Sequence, residues 1–368
     1  MLSKVKKNIL KLRESSTLAI NEKSKELIKS GKKIYRFGFG QSPFQIPDKI
    51  VENLRNNAHK KEYLPIQGLP SLRENISNYL FKKTGVKYSK ENILITPGSK
   101  EAMLLVHVAF NGEILTPAPS WVSYEPQAEI GKNKVHWLET SRSNNWFPTA
   151  KELENKLKKI KKKKNLILII NSPNNPSGAI CKNFKELAKV IKRHKLIVLS
   201  DEIYTDLSFD NNYDSISKFC PESTFISGGL SKWCGAGGWR LGFLAVPNGM
   251  KDFMKSLKSL ASESYSTVNT PTQFAAVEAY EGDYEEYKKK GGEYIGGSKS
   301  ETALNKWIIE DWKTKSGKKS SDTGERYLPS KAIESLTDEE YKLTSDKKRK
   351  DTSGRIQVNQ INIFVYLS

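Results

Sequence analysis

The sequence predicts an α/β fold with three layers, in which helices cover both faces of a mostly parallel β-sheet. Two short apolar runs, NLILII at 165–170 and LIVLS at 196–200, have the length of strands and lack polar alternation, as expected of strands buried on both faces. An amphipathic helix is predicted between them, at 184–194. A strand, a helix and a second strand in this order are typical of a parallel sheet.

The remaining elements continue this alternation from about residue 45 onward. A turn followed by an amphipathic helix is predicted for 62–85. The segment 151–164 is predicted to be a helix with a solvated lysine face, an interpretation favoured over a DNA-binding stripe. Three more strands are predicted, at 92–96, 225–227 and 242–246. One more helix is predicted at 99–110. Strands and helices thus alternate along most of the chain.

The charge of the chain raises the question of a nucleic-acid partner. The 368 residues include 61 Lys and Arg against 41 Asp and Glu, which gives a formal net charge of +20. Only ten of the basic residues are arginines, the type that reads phosphates and guanines most specifically. Residues 1–287 carry +15 of the excess, so it is not a property of the C-terminal end. We interpret the charge as mainly compositional, with an electrostatic role as the alternative.

Residue content also argues against several other classes of protein. The length allows two or three domains, and no run approaches the roughly 20 apolar residues of a membrane-spanning helix. The cysteines and histidines show no ligand spacing, so no metal site is predicted, and the absence of a disulfide pattern favours a cytoplasmic protein. The basic first twenty residues are compatible with a transit peptide, but no spacer follows them, which favours a folded N-terminal arm.

Polar residues follow the predicted strands where those strands end. NSPNNPSG at 171–178 follows the first apolar run, and Asp201 to Tyr204 follow the second. The stretch GGLSKWCGAGGWRLG at 228–242 follows another strand, and PGSK at 97–100 lies between a strand and a helix. Because ligands of open α/β sheets bind outside the carboxyl ends of the strands, we expect these residues to form one site.

These motifs, in this order and spacing, resemble those of the class I/II aminotransferases, which belong to fold type I of the pyridoxal-phosphate-dependent enzymes. The resemblance extends from about residue 10 to about residue 285. It implies the transferase fold of that group and pyridoxal 5'-phosphate (PLP) as cofactor. It also implies transfer of an amino group from an α-amino acid to a 2-oxo acid, within a homodimer.

The resemblance implies roles for three catalytic residues. Lys232 matches the lysine that holds the cofactor as a Schiff base and then moves the substrate Cα proton, which requires a deprotonated amine. Asp201 matches the aspartate that pairs with the pyridine nitrogen and keeps it protonated. Tyr204 matches the tyrosine that hydrogen-bonds the phenolic oxygen, which Asn175 shares. Taken singly, Asp201 is also a candidate helix N-cap and Asn175 a plain turn residue.

Several residues match the phosphate-binding part of the family site. Arg240 matches an arginine that grips the phosphate with its planar fork. Gly98, Ser99 and Lys100 match a turn whose backbone N–H groups favour an anion at a helix start. The family often has a hydroxyl residue three positions before the lysine, and the chain has Gly229 there. That contact is expected to be lost or to pass to one of two nearby hydroxyl residues, Ser227 and Ser231.

The remaining implied contacts come from outside these motifs. Trp121, in PAPSWVSY, matches an aromatic residue that stacks on the cofactor ring, with a core aromatic as the alternative. Tyr63, in EYLPIQG, matches a tyrosine that reaches the phosphate of the neighbouring subunit. Gly40, in FGFGQSPF, matches a glycine that approaches the substrate carboxylate, where a side chain would collide. With Asn175, it is the predicted substrate contact.

The C-terminal part departs from the family. Family members carry an arginine there that clamps the substrate carboxylate, but the chain has none between Arg240 and Arg326. The clamp is expected from Arg36, from the tail or from the partner subunit. The segment 302–352 instead resembles a small uncharacterised basic domain of phage, large-virus and bacterial proteins. The last stretch, from residue 355, loses its charge and resembles neither part.

The sequence therefore predicts an incomplete small domain and a charged, α-rich C-terminal module. The predicted parts are an N-terminal arm with part of the small domain at 1–45, a PLP-binding large domain at 46–287, a linker at 288–300, a basic module at 301–352 and an unassigned tail at 353–368. The predicted function is PLP-dependent transamination through Lys232. Two alternatives stay open: a lyase or decarboxylase of the same fold, and an inactive PLP-binding fusion whose basic tail binds nucleic acid or a partner.

Overall fold

The computed structural model describes most of the chain and divides it into two compact units. The described residues are 4–12, 16–34, 40, 42, 44–160, 164–207, 213–289, 312–317, 325 and 328–351. The first unit comprises Met1–Ser15 and Phe44–Tyr294, and the second comprises Ser16–Pro43 and Ile295–Ser368. The predicted motifs of the cofactor site all lie in the first unit.

A seven-stranded sheet forms the centre of the first unit, with the strand order β1-β7-β6-β5-β4-β2-β3. The strands are β1 Ile93–Thr96, β2 Glu113–Ala118, β3 Val135–Glu139, β4 Leu166–Asn171, β5 Ile197–Asp201, β6 Thr224–Gly229 and β7 Gly242–Ala245. Five strands that are adjacent in the sheet, β6, β5, β4, β2 and β3, run parallel to one another. Strand β7 runs antiparallel to both of its neighbours, β1 and β6. The predicted mostly parallel sheet is confirmed.

Helices of the first unit pack on both faces of this sheet. They are α1 Lys7–Leu10, α3 Asp48–Asn57, α4 Pro70–Thr84, α5 Ser99–Ala109, α6 Tyr124–Ile130, α7 Ala150–Lys159, α8 Phe184–His194, α9 Lys251–Ser264, α10 Thr270–Glu281 and α11 Glu285–Lys289. Successive residues of β4 alternate between two cores: Ile167 and Ile169 pack with α5, α6 and α9, whereas Leu168 and Ile170 pack with α7 and α8. This alternation is the period of a β-strand and gives the predicted three layers.

The described elements differ from the predicted ones mainly at their ends. The helix predicted at 151–164 ends at Lys159, because Ile160 takes an extended backbone conformation. The strands β2 and β3 were not assigned by the apolar pattern, since β2 contains Pro117 and β3 is a half-exposed edge strand. The last described helix of the unit, α11, continues to Lys289, into the segment predicted as a linker.

The second unit contains short elements. They are α2 Ser16–Lys29, β8 Trp312–Lys313, β9 Leu328–Pro329, α12 Ser330–Ser335 and α13 Asp338–Asp351. The strands β8 and β9 pair antiparallel, so the module predicted to be α-rich also contains a small strand pair. Leu328, Ile333 and Tyr341 form a small core, and the Tyr341 hydroxyl accepts a 2.8 Å hydrogen bond from the Lys315 N–H. The predicted tail at 353–368 and residues 290–300 lie outside the described residues.

No helix within the described residues is long and apolar enough to cross a membrane. Within the same residues, no group of three or more His, Cys, Asp or Glu side chains is placed to hold a metal ion.

Candidate active site

The carboxyl ends of three adjacent parallel strands bring polar side chains to one edge of the sheet. In the strand register, Asn171 of β4 lies opposite Asp201 of β5, which in turn lies opposite Ser227 of β6. The Asn171 side-chain amide donates a 2.9 Å hydrogen bond to the Asp201 carbonyl oxygen, which ties the first two strand ends together. This edge is the position at which open α/β sheets bind ligands.

Asp201 is a buried carboxylate with a partner on one side. Its side chain accepts a 2.8 Å hydrogen bond from the hydroxyl of Tyr124, and the residue is 3% exposed. Burial raises the pKa of Asp201 to about 6, while the Tyr124 hydrogen bond, the Ile203 N–H and the nearby Lys232 oppose that rise. A buried carboxylate of this kind is suited to a further cationic partner, such as a protonated ring nitrogen.

Tyr204 and Asn175 form a hydrogen-bonded pair beside it. The Asn175 side-chain amide donates to the Tyr204 oxygen at 3.2 Å, and the Asn175 N–H donates to the Asn171 side chain at 2.7 Å. Burial, followed by the charge of Asp201, raises the pKa of Tyr204 to about 12. The hydroxyl therefore stays protonated at neutral pH, and because it accepts from Asn175, its own proton is available to a ligand oxygen.

Lys232 lies close to this pair. Its Nζ is 5.4 Å from the centre of the Tyr204 ring. Burial lowers the pKa of the Lys232 ammonium, and the charge of Asp201 partly offsets the effect. A lowered pKa increases the fraction of neutral amine, which is the form that attacks a carbonyl.

A tight turn before α5 forms the second part of the site. Gly98 is the N-cap of α5 and has a φ of 85°, and Ser99 and Lys100 are the first helical residues. The Arg240 guanidinium donates to the carbonyl oxygens of Pro97, at 3.0 Å, and Gly237, at 2.7 Å. Burial and the neighbouring Arg240 lower the pKa of Lys100. Two cations beside a helix start form a site suited to an anion such as phosphate.

Glycine is required at position 98 for two reasons. Its positive φ is a conformation that other residues rarely adopt, and a Cβ placed there would lie 2.4 Å from an Arg240 guanidinium nitrogen. The arginine therefore occupies the space that a side chain would fill. This close approach fits the predicted pairing of the Gly98 turn with Arg240 around one phosphate group.

The structure also explains Gly229, where the family often has a hydroxyl residue. A Cβ at Gly229 would lie 2.7 Å from the carbonyl oxygen of Leu241, at the point where β6 and β7 run side by side. Of the two predicted replacements, Ser227 lies against the phosphate turn, with its hydroxyl 3.5 Å from the carbonyl oxygen of Ser99. Ser231 is half-buried and directly precedes Lys232.

Trp121 lies between the two parts of the site. Its ring contacts the ring of Tyr124 edge-on, with the centres 5.5 Å apart, and the Lys100 Nζ lies 5.4 Å from its centre. It therefore packs against one residue that bonds Asp201 and one residue of the phosphate turn. This position is compatible with the predicted stacking on a cofactor ring.

Of three other predicted residues, only Tyr63 is a described residue of the first unit. Tyr63 is 88% exposed on the loop between α3 and α4. Gly40 is exposed and belongs to the second unit. Arg36, one predicted source of the carboxylate clamp, lies outside the described residues. The described site in the first unit therefore contains most of the residues predicted to hold a cofactor, and Tyr63 is not among them.

Two residues of the site were not predicted from the sequence. Tyr124 ends the stretch PAPSWVSY and begins α6, three residues after Trp121, which was the available signal. Asn171 begins the stretch NSPNNPSG, as the last residue of β4. Both bond Asp201, which is 77 residues from Tyr124 and 30 residues from Asn171, so local pattern alone did not indicate these contacts.

Comparisons with known proteins identify this arrangement. Residues 32–295 match the sequence model of the aminotransferase class I and II family. The chain is 33% identical over 294 residues to an aspartate aminotransferase of Geobacillus stearothermophilus, covering 77% of this chain and 73% of that protein. It is 32% identical over 281 residues to a probable aspartate/prephenate aminotransferase of Aquifex aeolicus, covering 73% and 69%.

Solved structures give the same result. An aspartate aminotransferase of Thermus thermophilus with maleate has a TM-score of 0.73 and 26% identity, and the match covers 78% of this chain and 77% of that one. An alanine aminotransferase of Pyrococcus furiosus has a TM-score of 0.70 and 26% identity, with 78% and 75% covered. The buried Asp201, the lowered pKa of Lys232 and the cationic Gly98 turn fit a ring with a protonated nitrogen, a carbonyl and a phosphate. The chain belongs to the class I and II aminotransferases, a family of PLP-dependent enzymes.

Proposed function

We propose that the protein moves an amino group from an α-amino acid to a 2-oxo acid, with PLP held at Lys232. One observation carries the assignment of residues. Lys232, Asp201 and Tyr204 converge at the carboxyl ends of β5 and β6. The Lys232 Nζ lies 5.4 Å from the centre of the Tyr204 ring. When bound, PLP supplies a ring that accepts the electrons released at the substrate Cα.

The phosphate turn anchors the cofactor in this proposal. The N–H groups of Ser99 and Lys100, at the start of α5, have no acceptor within the helix and are available to phosphate oxygens. Arg240 adds a guanidinium that is already oriented by the Pro97 and Gly237 carbonyl oxygens. Pre-oriented donors lose little freedom on binding, which favours affinity.

Asp201 and Tyr204 orient and tune the bound ring. The Asp201 carboxylate would hold a proton at the ring nitrogen, and the Tyr124 hydrogen bond keeps that carboxylate ionised and in place. The Tyr204 hydroxyl and the Asn175 amide would hold the phenolic oxygen, and Trp121, beside Lys100, would stack on the cofactor ring. These contacts fix the ring relative to Lys232.

Lys232 would act as the acid–base group. Its neutral amine accepts the proton of the substrate Cα, and the resulting ammonium returns a proton to a neighbouring carbon. Because burial lowers its pKa, a larger fraction of Lys232 is in the neutral form that can accept this proton, and its ammonium then releases the proton more readily than that of a surface lysine. The same residue therefore serves binding and proton transfer at different stages.

The substrate contacts are proposed from the resemblance and from the names of relatives. Gly40 and Asn175 are the proposed substrate contacts, and the α-carboxylate is proposed to meet Arg36, the tail or a partner subunit. Relatives are named for aspartate and for aspartate and prephenate. Aspartate is therefore the first amino donor to test.

Two partner proposals accompany this function. A homodimer is supported by Tyr63, whose side chain is 88% exposed on a loop of the first unit, as expected of a residue that reaches a neighbouring subunit. The C-terminal segment 288–368 carries a net charge of +5, and nucleic acid is its proposed partner if its lysines act together. Titration of the full chain with DNA at two salt concentrations tests the second proposal, since binding through phosphates weakens as salt rises.

A panel of amino acids and 2-oxo acids tests the function directly. Purified protein with PLP is expected to develop an absorbance band that Lys232→Ala loses and that the exposed-lysine control Lys158→Ala keeps. An amino donor is expected to discharge the band and a 2-oxo acid to restore it. Release of carbon dioxide or ammonia without an acceptor favours the lyase alternative. A stable band with no response to any donor favours the inactive fusion.

A further inference from the structure

The segment that carries Asp201 and Tyr204 also contributes Asp206 to a buried cluster of charged side chains outside the cofactor site. Its centre is Asp206, whose side chain is 5% exposed. Tyr79 of α4 donates a 2.6 Å hydrogen bond to one Asp206 oxygen. Lys83 of the same helix forms a short ion pair with the other oxygen, and Lys288 of α11 lies 3.4 Å from it. Three side chains from two helices thus converge on one carboxylate.

The segment from 201 to 207 presents its carboxylates to two different places. Asp201 faces the cofactor site, whereas Glu202 accepts hydrogen bonds from Ser200, at 3.0 Å, and Ser215, at 2.6 Å. The turn is closed by hydrogen bonds from the Glu202 N–H to Ser227 and from the Leu207 N–H to the Tyr204 carbonyl oxygen. Asp206 therefore lies two residues from Tyr204 within the same hydrogen-bonded turn.

Lys288 also contacts the segment that carries Lys232. Its side chain is 10% exposed, and its Nζ lies 4.7 Å from the centre of the Trp233 ring. Trp233 directly follows Lys232 and is itself buried. The Lys288 ammonium therefore contacts both Asp206, two residues after Tyr204, and Trp233, the residue after Lys232. These two contacts belong to separate segments of the chain.

The composition of the cluster argues for a role beyond packing. Lys83 faces the carboxylates of both Asp206 and Glu202, Lys288 faces that of Asp206, and Tyr213 and Tyr280 lie beside them. Apolar side chains of similar volume fill such a space at no cost in desolvation. A buried carboxylate with hydrogen-bonded cationic partners instead holds its side chains in a single arrangement. A preorganised site needs supporting residues that are fixed in this way.

We propose that Asp206, held by Lys83, Lys288 and Tyr79, is a positioning residue that fixes Tyr204 and Lys232 relative to each other. This inference rests on the proposed roles of Lys232 and Tyr204. Asp206 touches neither substrate nor cofactor and acts through the turn that it anchors. Lys288 couples that turn to Trp233.

Asp206→Asn in the full-length holoenzyme tests the proposal. The amide keeps the shape of the side chain but removes the charge that the two lysines hold. A loosened Tyr204 donates less well to the phenolic oxygen, so we expect the pH midpoint of the Lys232-dependent absorbance band to rise by about 0.5 to 1 unit. PLP is expected to bind about tenfold more weakly, as for the loss of one modest hydrogen bond.

A matched control and a second variant separate this effect from a loss of folding. Asp214→Asn removes a 2.7 Å ion pair with Lys218 at a partly exposed site and should leave the midpoint and the affinity unchanged. Lys288→Met keeps an apolar stem on Trp233 and leaves Asp206 paired with Lys83, so it is the variant to use if Asp206→Asn does not fold. It is expected to shift the midpoint in the same direction by a smaller amount.

The outcomes are distinguishable from those that test the function itself. If wild-type protein develops no Lys232-dependent band, the proposed function fails. If the wild type develops it, and folded Asp206→Asn and Lys288→Met both retain its midpoint and the PLP affinity, the positioning role is wrong while the function stands. Circular dichroism and the thermal midpoint establish folding for each variant.

Discussion

Replacing Gly98 by alanine is a direct perturbation of the phosphate turn. The added Cβ would lie 2.4 Å from one guanidinium nitrogen and 3.0 Å from the central carbon of Arg240. The guanidinium must then leave the position in which the Pro97 and Gly237 carbonyl oxygens hold it, which is the orientation proposed for binding phosphate. A hydrogen bond to a charged group contributes about 1.5 to 3 kcal/mol. Because 1.4 kcal/mol corresponds to about a factor of ten, we expect PLP to bind roughly 10- to 150-fold more weakly.

The effect of an alanine on the backbone conformation at position 98 must be separated from the effect of its Cβ on Arg240. Gly98 has a φ of 85° and a ψ of 163°, a region that essentially only glycine adopts, so an alanine there costs about 1 to 3 kcal/mol in backbone strain alone. Gly85, the C-cap of α4, has a φ of 72° and no atom within 4 Å of a built Cβ. Gly85→Ala is therefore the control for an alanine at positive φ without a collision: with a ψ of 0° it lies in the left-handed helical region, and it should lose about 1 to 2 kcal/mol of stability and keep the affinity for PLP.

Titration of the apoprotein with PLP, followed by absorbance or fluorescence, measures both variants under the same conditions. Urea unfolding of each apoprotein gives the stability change. The reasoning about Arg240 is refuted if Gly98→Ala binds PLP as tightly as Gly85→Ala does, or if both variants lose affinity equally.

Two further predictions concern titrating groups. Tyr124→Phe removes a hydrogen bond that lowers the pKa of Asp201, so that pKa should rise above about 6. The acid limb of the pH–activity profile should then move to higher pH by about 0.5 to 1 unit. An acid limb that does not move contradicts the role of Tyr124. His107 is fully buried, and burial lowers its pKa to about 4, below the ordinary value near 6.5. The unfolded chain therefore takes up a proton first as the pH falls, and stability present above about pH 6.5 is lost toward pH 4, by about 2 kcal/mol between pH 7 and pH 5. His107→Leu should lose less stability over that interval in urea unfolding, and an equal loss in both proteins excludes His107 as its source.

The parts of the fold that the sequence predicted are those in which local pattern and tertiary environment agree. The strands β4 and β5 are continuous apolar runs bounded by polar residues, so their ends could be located to within a residue. The helix α8 was predicted at its observed bounds, because its apolar residues follow the helical period. By contrast, β3 is a half-exposed edge strand with a mixed sequence, VHWLE, and gave no such signal.

The site shows the same division. Asp201 could be placed at the sheet edge because it follows an apolar strand, whereas Arg240 was assigned to the phosphate through the resemblance to the family motif. Tyr124 could not be assigned to Asp201, since the two are 77 residues apart and meet only through the packing of α6. Lys288 lies in a lysine-rich stretch that was predicted to be a linker, and its contacts with Asp206 and Trp233 arise from α11, which no local pattern indicated.

The central claim is that Lys232, at the sheet edge beside Asp201 and Tyr204, holds the cofactor. The most direct test is to load the protein with PLP, reduce it with borohydride, digest it and locate the added mass by peptide mass spectrometry. The reduction makes the carbon–nitrogen link between the cofactor and the amine permanent. We predict the mass on the peptide that contains Lys232, and its loss in Lys232→Ala. A label on another lysine that persists in this variant, or no label in a protein that binds PLP, contradicts the account.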